Sequence, residues 1–159
     1  MPGPLAAPAF HDRLGFPSGS TQCSRRGLAF IRSRLALWGT DADTTATDDA
    51  LLVTAELLSN AAHHAGGPLA LDLQLDPDRQ TLRIAVTDAV SDPPRMRHPA
   101  ADQPHGRGLR IVDRLASAWG TIPAGAGKTV WAELRLPPAD FPRRHTTLTP
   151  PDGHRPPRR

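Results

Sequence analysis

Glu56, Ser59, Asn60, His63 and His64 stand at i, i+3, i+4, i+7 and i+8 of one segment, VTAELLSNAAHHAG. On an α-helix that spacing draws one continuous polar stripe. A solvated face is one reading, but such faces usually carry Lys, Arg and several Glu, and this stripe has neither Lys nor Arg. An occupied cleft is the other. A carboxylate and an amide oxygen one turn apart suit Mg²⁺ chemistry: the amide oxygen, from Asn60, binds the hard cation, and the carboxylate, from Glu56, holds a water or takes a proton. Zinc competes, since His98 and His105 add to the histidines. No H-x-x-x-H or Cys/His spacing is present, however, and adjacent histidines on a helix point about 100° apart.

A second carboxylate is conspicuous for its position. In TLRIAVTD (81–88) Asp88 has the parity of Leu82, Ile84 and Val86 and so continues the core-facing side of a strand. A buried, unpaired carboxylate costs several kcal/mol, of order 3 or more. Either the chain turns Asp88 outward, or a partner supplies hydrogen bonds, for which an exocyclic amine such as that of adenine is a suitable donor. Further on, Gly106 and Gly108 precede the apolar-periodic run GLRIVDRLA. Bare amides at a helix N-terminus attract anions, and glycine lets phosphate oxygens approach the backbone. GAGKT (125–129) imitates the end of a P-loop, but Ile122 stands where the first glycine is required and a strand-like run follows.

The elements that must position these residues are legible from periodicity. Leu28, Ile31, Leu35 and Trp38 predict a first helix over about 24–38, ended by Gly39. Asp43, Thr44 and Thr47 offer N-caps for a second helix reaching about His64, stopped by Gly66-Gly67. Its other faces carry Leu51, Leu52, Val53, Leu57, Leu58, Ala61 and Ala62, so most of it is expected to be buried. LALDLQL (69–75) alternates with Leu69, Leu71, Leu73 and Leu75 on one face; DPDRQ turns, and TLRIAVTD pairs back as a hairpin. Residues 89–105 are Pro-rich and aperiodic, the character of a functional lid. A third helix is expected from Gly108 to about Ala118, and a last strand over 130–136. Helices and an antiparallel sheet in this order predict a two-layer α/β sandwich.

The chain of 159 residues supports one domain, placed at 20–136. Residues 1–19 read as mostly disordered with a short strand near Phe16, and 137–159 as a Pro/Arg-rich disordered tail. The formal charge of +3 sits in that tail, with five Arg against two Asp, so the rest is neutral and nucleic acid is not the expected partner. Cys23 is the only cysteine, which excludes an intrachain disulfide and fits a reducing cytoplasm. No run approaches the ~18 apolar residues of a membrane span.

Taken in order, the E-x-x-x-N helix, a strand ending in Asp, a loop, G-x-G before a helix and a final G-x-T-V strand resemble the Bergerat ATP-binding fold of gyrase, histidine kinases and anti-sigma-factor serine kinases. VTAELLSNAAHHAG, GRGLRIVDRLASAWG and GKTVWAEL are most similar to the last group, in its single-domain actinomycete form. The resemblance implies ATP and Mg²⁺ as cofactors, with Asn60 on the metal and Glu56 as the base or water-positioning carboxylate. It places His63 near the phosphates, Asp88 on the adenine amine, Gly106 and Gly108 around the phosphates, and Thr129 beside the base. Arg107, Arg95 and Arg97 become phosphate contacts by charge and position.

Two departures stand out. D-A-V-S-D-P-P replaces the frequent D-x-G-x-G, with Pro93 and Pro94 stiffening the lid, and Lys128 stands where related kinases often have Thr. The resemblance also implies partners: a sigma factor, a small antagonist protein bearing the phosphorylated serine, and a second copy in a homodimer. It leaves room for two functions. One is a Mg·ATP-dependent protein serine/threonine kinase; the other is a catalytically silent nucleotide-binding module that regulates by partner exchange.

Overall fold

The computed structural model describes residues 10–40, 44–91 and 108–137. Its elements run β1 (Phe10–Gly15), α1 (Cys23–Leu37), α2 (Thr45–Ala65), β2 (Pro68–Asp76), β3 (Thr81–Asp88), α3 (Gly108–Leu115), β4 (Ala118–Ala124) and β5 (Gly127–Arg135). The strands form one sheet in the order β1-β2-β3-β5-β4, antiparallel at every pairing. Three helices and a five-stranded antiparallel sheet make the expected α/β sandwich.

Alternation builds the core. Leu71, Leu73 and Leu75 of β2, Leu82, Ile84 and Val86 of β3, and Val130, Ala132 and Leu134 of β5 are all buried on the helix side. Against them lie Ile31 and Leu35 of α1, Val53, Leu57, Leu58 and Ala61 of α2, and Leu109 and Val112 of α3. Helix α2 occupies the centre, packed on both α1 and α3. Gly27 of α1 sets one of these approaches, because a Cβ there would collide with the Leu58 side chain. Thr44 caps α2, accepting from the Thr47 backbone N–H at 3.3 Å, and Gly66 ends it in the left-handed conformation at φ 70°.

Four expectations change. Residues 10–15 are a strand, not a disordered leader: β1 pairs with β2, and both His11 and Arg13 reach Asp72 across the pairing, at 3.1 and 3.0 Å. The strand expected near Phe16 thus lies just ahead of it. Residues 118–124 form β4, where helix and loop were expected; α3 stops at Leu115, and the Ser117 N–H donates to the Glu133 carbonyl at 2.8 Å. Leu69 does not share the face of Leu71. A register shift between Pro68 and Ala70 turns it outward, where it is 46% exposed. Leu52, at 43%, and Ala62 are exposed as well, so the buried part of α2 is one broad face and not most of its circumference.

The GAGKT segment is a hairpin between β4 and β5, with Gly125 at φ 58° in the turn. A P-loop needs a helix at that point, so the imitation ends there.

A candidate nucleotide site at one end of the sheet

Topology brings the chemically interesting residues to one end of the sheet. Pro68, which opens β2 directly after α2, is paired with Asp88, which closes β3, and Asp88 is paired with Lys128 near the start of β5. The C-terminal part of α2 therefore lies at the Asp88 end. Helix α3 finishes at the opposite end, beside the Ala118–Glu133 pairing, so its N-terminus at Gly108 points back toward Asp88.

Helical geometry decides which flank of α2 faces that space. Leu58 meets α1 at Gly27, and Asn60 lies about 200° further round the helix. Asn60 and, one turn earlier, Glu56 thus sit on the flank toward α3. Both are half-buried, as is Ser59, while His63 is exposed. The stripe is graded from a part-covered edge at Asn60 and Glu56 to a solvated edge at His63. Burial raises the Glu56 carboxyl above its ordinary value of 4.5, because desolvation penalises the charged form. The side chain of His64 lies outside the described residues, as do Gly106, Arg107 and the lid arginines Arg95 and Arg97. Gly108 is the first residue of α3.

Asp88 is buried, as its parity required, and its partner lies within the chain. The Lys128 ammonium stands 3.0 Å from each carboxylate oxygen and donates a further hydrogen bond to the Val90 carbonyl at 2.9 Å. The Val90 N–H donates to Asp88 Oδ1 at 2.9 Å, closing a short turn at the strand exit. The ammonium thus has three acceptor oxygens within 3.0 Å, and both ionic groups are almost fully buried. Lys128 is the residue that sequence reasoning noted only as a departure. The available signal was its parity with Val130 and Ala132, which puts a cation on the core side of β5 opposite an anion on the core side of β3.

Thr129 requires a correction. Alternation along β5 turns it to the face of the sheet away from the helices, where its hydroxyl bonds that of Thr87 at 2.8 Å. It does not share a face with Asp88, so it is not placed to hold a base there. Lys128 has that position. An open cleft of about 210 Å³ does exist between the β1–α1 turn and the end of α2, lined by residues including Phe16, Cys23, Gly66 and Ala89. It lies toward α1, on the side of α2 away from Asn60, and is smaller than the ~300–1,000 Å³ of usual ligand pockets.

Residues 19–134 match the model of the histidine kinase-like ATPase domain, and the chain belongs to that family. Domains of this family bind ATP, usually with Mg²⁺. Among solved structures, the chain is similar to the RsbU and RsbW domains of Rv1364c from Mycobacterium tuberculosis, with a TM-score of 0.60 at 21% identity. That likeness covers 85% of this chain and 35% of the other, so the chain spans about a third of its structural neighbour. It is a likeness of fold. No curated protein sequence gives a significant match. No helix among the described residues is long and apolar enough to cross a membrane.

The two ends of the site fit a nucleotide unequally. Glu56 and Asn60 present a carboxylate and an amide oxygen one turn apart on a part-covered flank, which suits a Mg²⁺-bound phosphate. At the base end the one buried carboxylate already has its donors.

Proposed function

We propose that this chain is a regulatory protein of the anti-sigma-factor kinase type, transferring the γ-phosphoryl group of Mg·ATP to a serine of a small antagonist protein. The observation that carries the reading is the placement of Glu56 and Asn60. They lie half-buried one turn apart in the second half of α2, whose C-terminus leads into the Pro68–Asp88 end of the sheet, and this supports the reading. Asn60 would hold the Mg²⁺, which when bound offsets charge on the phosphoryl group in transfer. Glu56 would take the serine hydroxyl proton on its carboxylate, and desolvation makes it a stronger base than an exposed glutamate. Gly106, Arg107 and Gly108 are proposed for the phosphates, with His63 nearby, and a sigma factor for the second partner.

One observation favours a second reading, the catalytically silent nucleotide-binding module that regulates by partner exchange: the internal ion pair of Asp88, which leaves the base end of the site altered. Calorimetric titration of Mg·ATP into the full chain tests the site both readings need, and release of labelled γ-phosphate from ATP in single turnover, lost in Glu56→Gln, separates the two. The kinase reading expects submillimolar binding that disappears with EDTA and in Asn60→Ala, and survives in Glu56→Gln. Absence of binding up to millimolar Mg·ATP sinks both as nucleotide-site readings; binding without γ-phosphate release leaves the silent module.

A further inference from the structure

Resting on the nucleotide-site reading above, we infer that Lys128 withdraws Asp88 from base recognition, so that the site does not distinguish adenine from guanine. A carboxylate selects adenine only if it can accept from the exocyclic amine. Here the Lys128 ammonium stands 3.0 Å from both oxygens of Asp88 and donates to Oδ1, which accepts a second time from the Val90 N–H at 2.9 Å, and the carboxylate side chain is only 2% open to an incoming amine. The ammonium in turn donates to the Val90 carbonyl as well and is itself almost fully buried, so it is not presented to an incoming base. Nothing at this point favours a 6-amino over a 6-keto purine.

Release of the pair by the nucleotide is disfavoured by its surroundings. Lys128 and Asp88 are both buried, and moving the ammonium aside leaves two charges without partners in a poorly solvated place. The backbone around them is also fixed: Gly127 lies so close to the Asp88 carbonyl that no Cβ fits between them. The pair ties the start of β5 to the end of β3 and to the turn at Val90. It fills the role that a bound base would have at this strand end.

The test is a set of calorimetric titrations of Mg·ATP and Mg·GTP into the full chain, as wild type and as Lys128→Thr. Thr is short and neutral, suits a strand, and its hydroxyl can still donate one bond to Asp88. The expected result is that wild-type affinities for the two nucleotides agree within about threefold. Lys128→Thr then binds Mg·ATP about tenfold more tightly while Mg·GTP is unchanged, the worth of one regained hydrogen bond to a charged acceptor. Wild-type protein that prefers ATP by more than tenfold overturns the inference and leaves the nucleotide-site reading intact. Wild-type protein that binds neither, with ATP-selective binding appearing in Lys128→Thr, upholds the inference and sinks the kinase. If neither protein binds either nucleotide, both fail. Should Lys128→Thr prove unstable at 10 °C, the wild-type comparison alone carries the test. Wild-type affinities within about threefold support the inference, and a preference for ATP, or binding of neither nucleotide, refutes it.

Discussion

Replacing Lys128 by Met removes the ammonium while keeping most of the aliphatic stem. Asp88 is then left buried with a single described donor, the Val90 N–H at 2.9 Å. Breaking a buried pair from one side costs about 3–5 kcal/mol, chiefly because the surviving charge stays desolvated. For a domain of this size a loss of 1 kcal/mol lowers Tm by roughly 3–4 °C, so Lys128→Met should melt about 10–20 °C below wild type. Asp88→Asn should cost a comparable amount by stranding the ammonium. The double variant carries no buried charge here and should recover much of the loss, giving a coupling energy of about 2 kcal/mol or more. Urea melts of the four proteins measure it, and repeating them in 1 M NaCl should change the coupling little, since a buried pair is poorly screened. Single-variant losses that simply add, within about 0.5 kcal/mol, would refute the claim that these two groups hold each other in the core.

Two other perturbations bear on the same end of the fold. Gly127→Ala should destabilise by about 3 kcal/mol or more, visible as a lowered urea midpoint. The added Cβ meets the Asp88 carbonyl, and the Asp88 C and Ala89 Cα at 2.9 Å, and none of these atoms can step aside by a rotamer change. Glu56→Gln should stabilise slightly at neutral pH. A carboxyl whose folded-state value is raised binds more protons folded than unfolded, so wild-type stability falls as pH rises from 4.5 through that raised value. The gain of Glu56→Gln should therefore appear above that window and vanish below pH 4.5, as thermal melts across pH will show; a gain that persists at pH 3.5 would contradict it.

Much of this was legible in local patterns, and the failures share a cause. Leu71, Leu73, Leu75 and Leu82, Ile84, Val86 announce two one-sided strands by alternation, and Thr44 announces a cap, because each signal is complete within a few residues. Of the two edge strands, β1 is announced only as a short strand near Phe16 and β4 not at all. FHDRLG is short and polar, and its register depends on Asp72, about sixty residues away. AWGTIPA carries Gly120 and Pro123, tolerable only because β4 is an edge, with the Trp131 ring lying over Gly120. At the site, the burial of Asp88 followed from parity, while its partner depended on the β3–β5 register. Assigning Thr129 in place of Lys128 is a slip of one residue, and in a strand one residue exchanges the faces. The edge of the α2 stripe that is covered could not be read from spacing alone either; the packing of α1 at Gly27 decides it.

The most direct test of the account is an NMR titration of the ¹⁵N-labelled full chain with Mg·ATP, following backbone amides, the Asn60 side-chain amide and the Lys128 ammonium. The account predicts shifts at Glu56, Asn60 and Gly108 that require Mg²⁺, with the Lys128 signal retained as its pair with Asp88 persists. Silence at Asn60 up to millimolar nucleotide, or shifts confined to the Thr87–Thr129 face of the sheet, would contradict it.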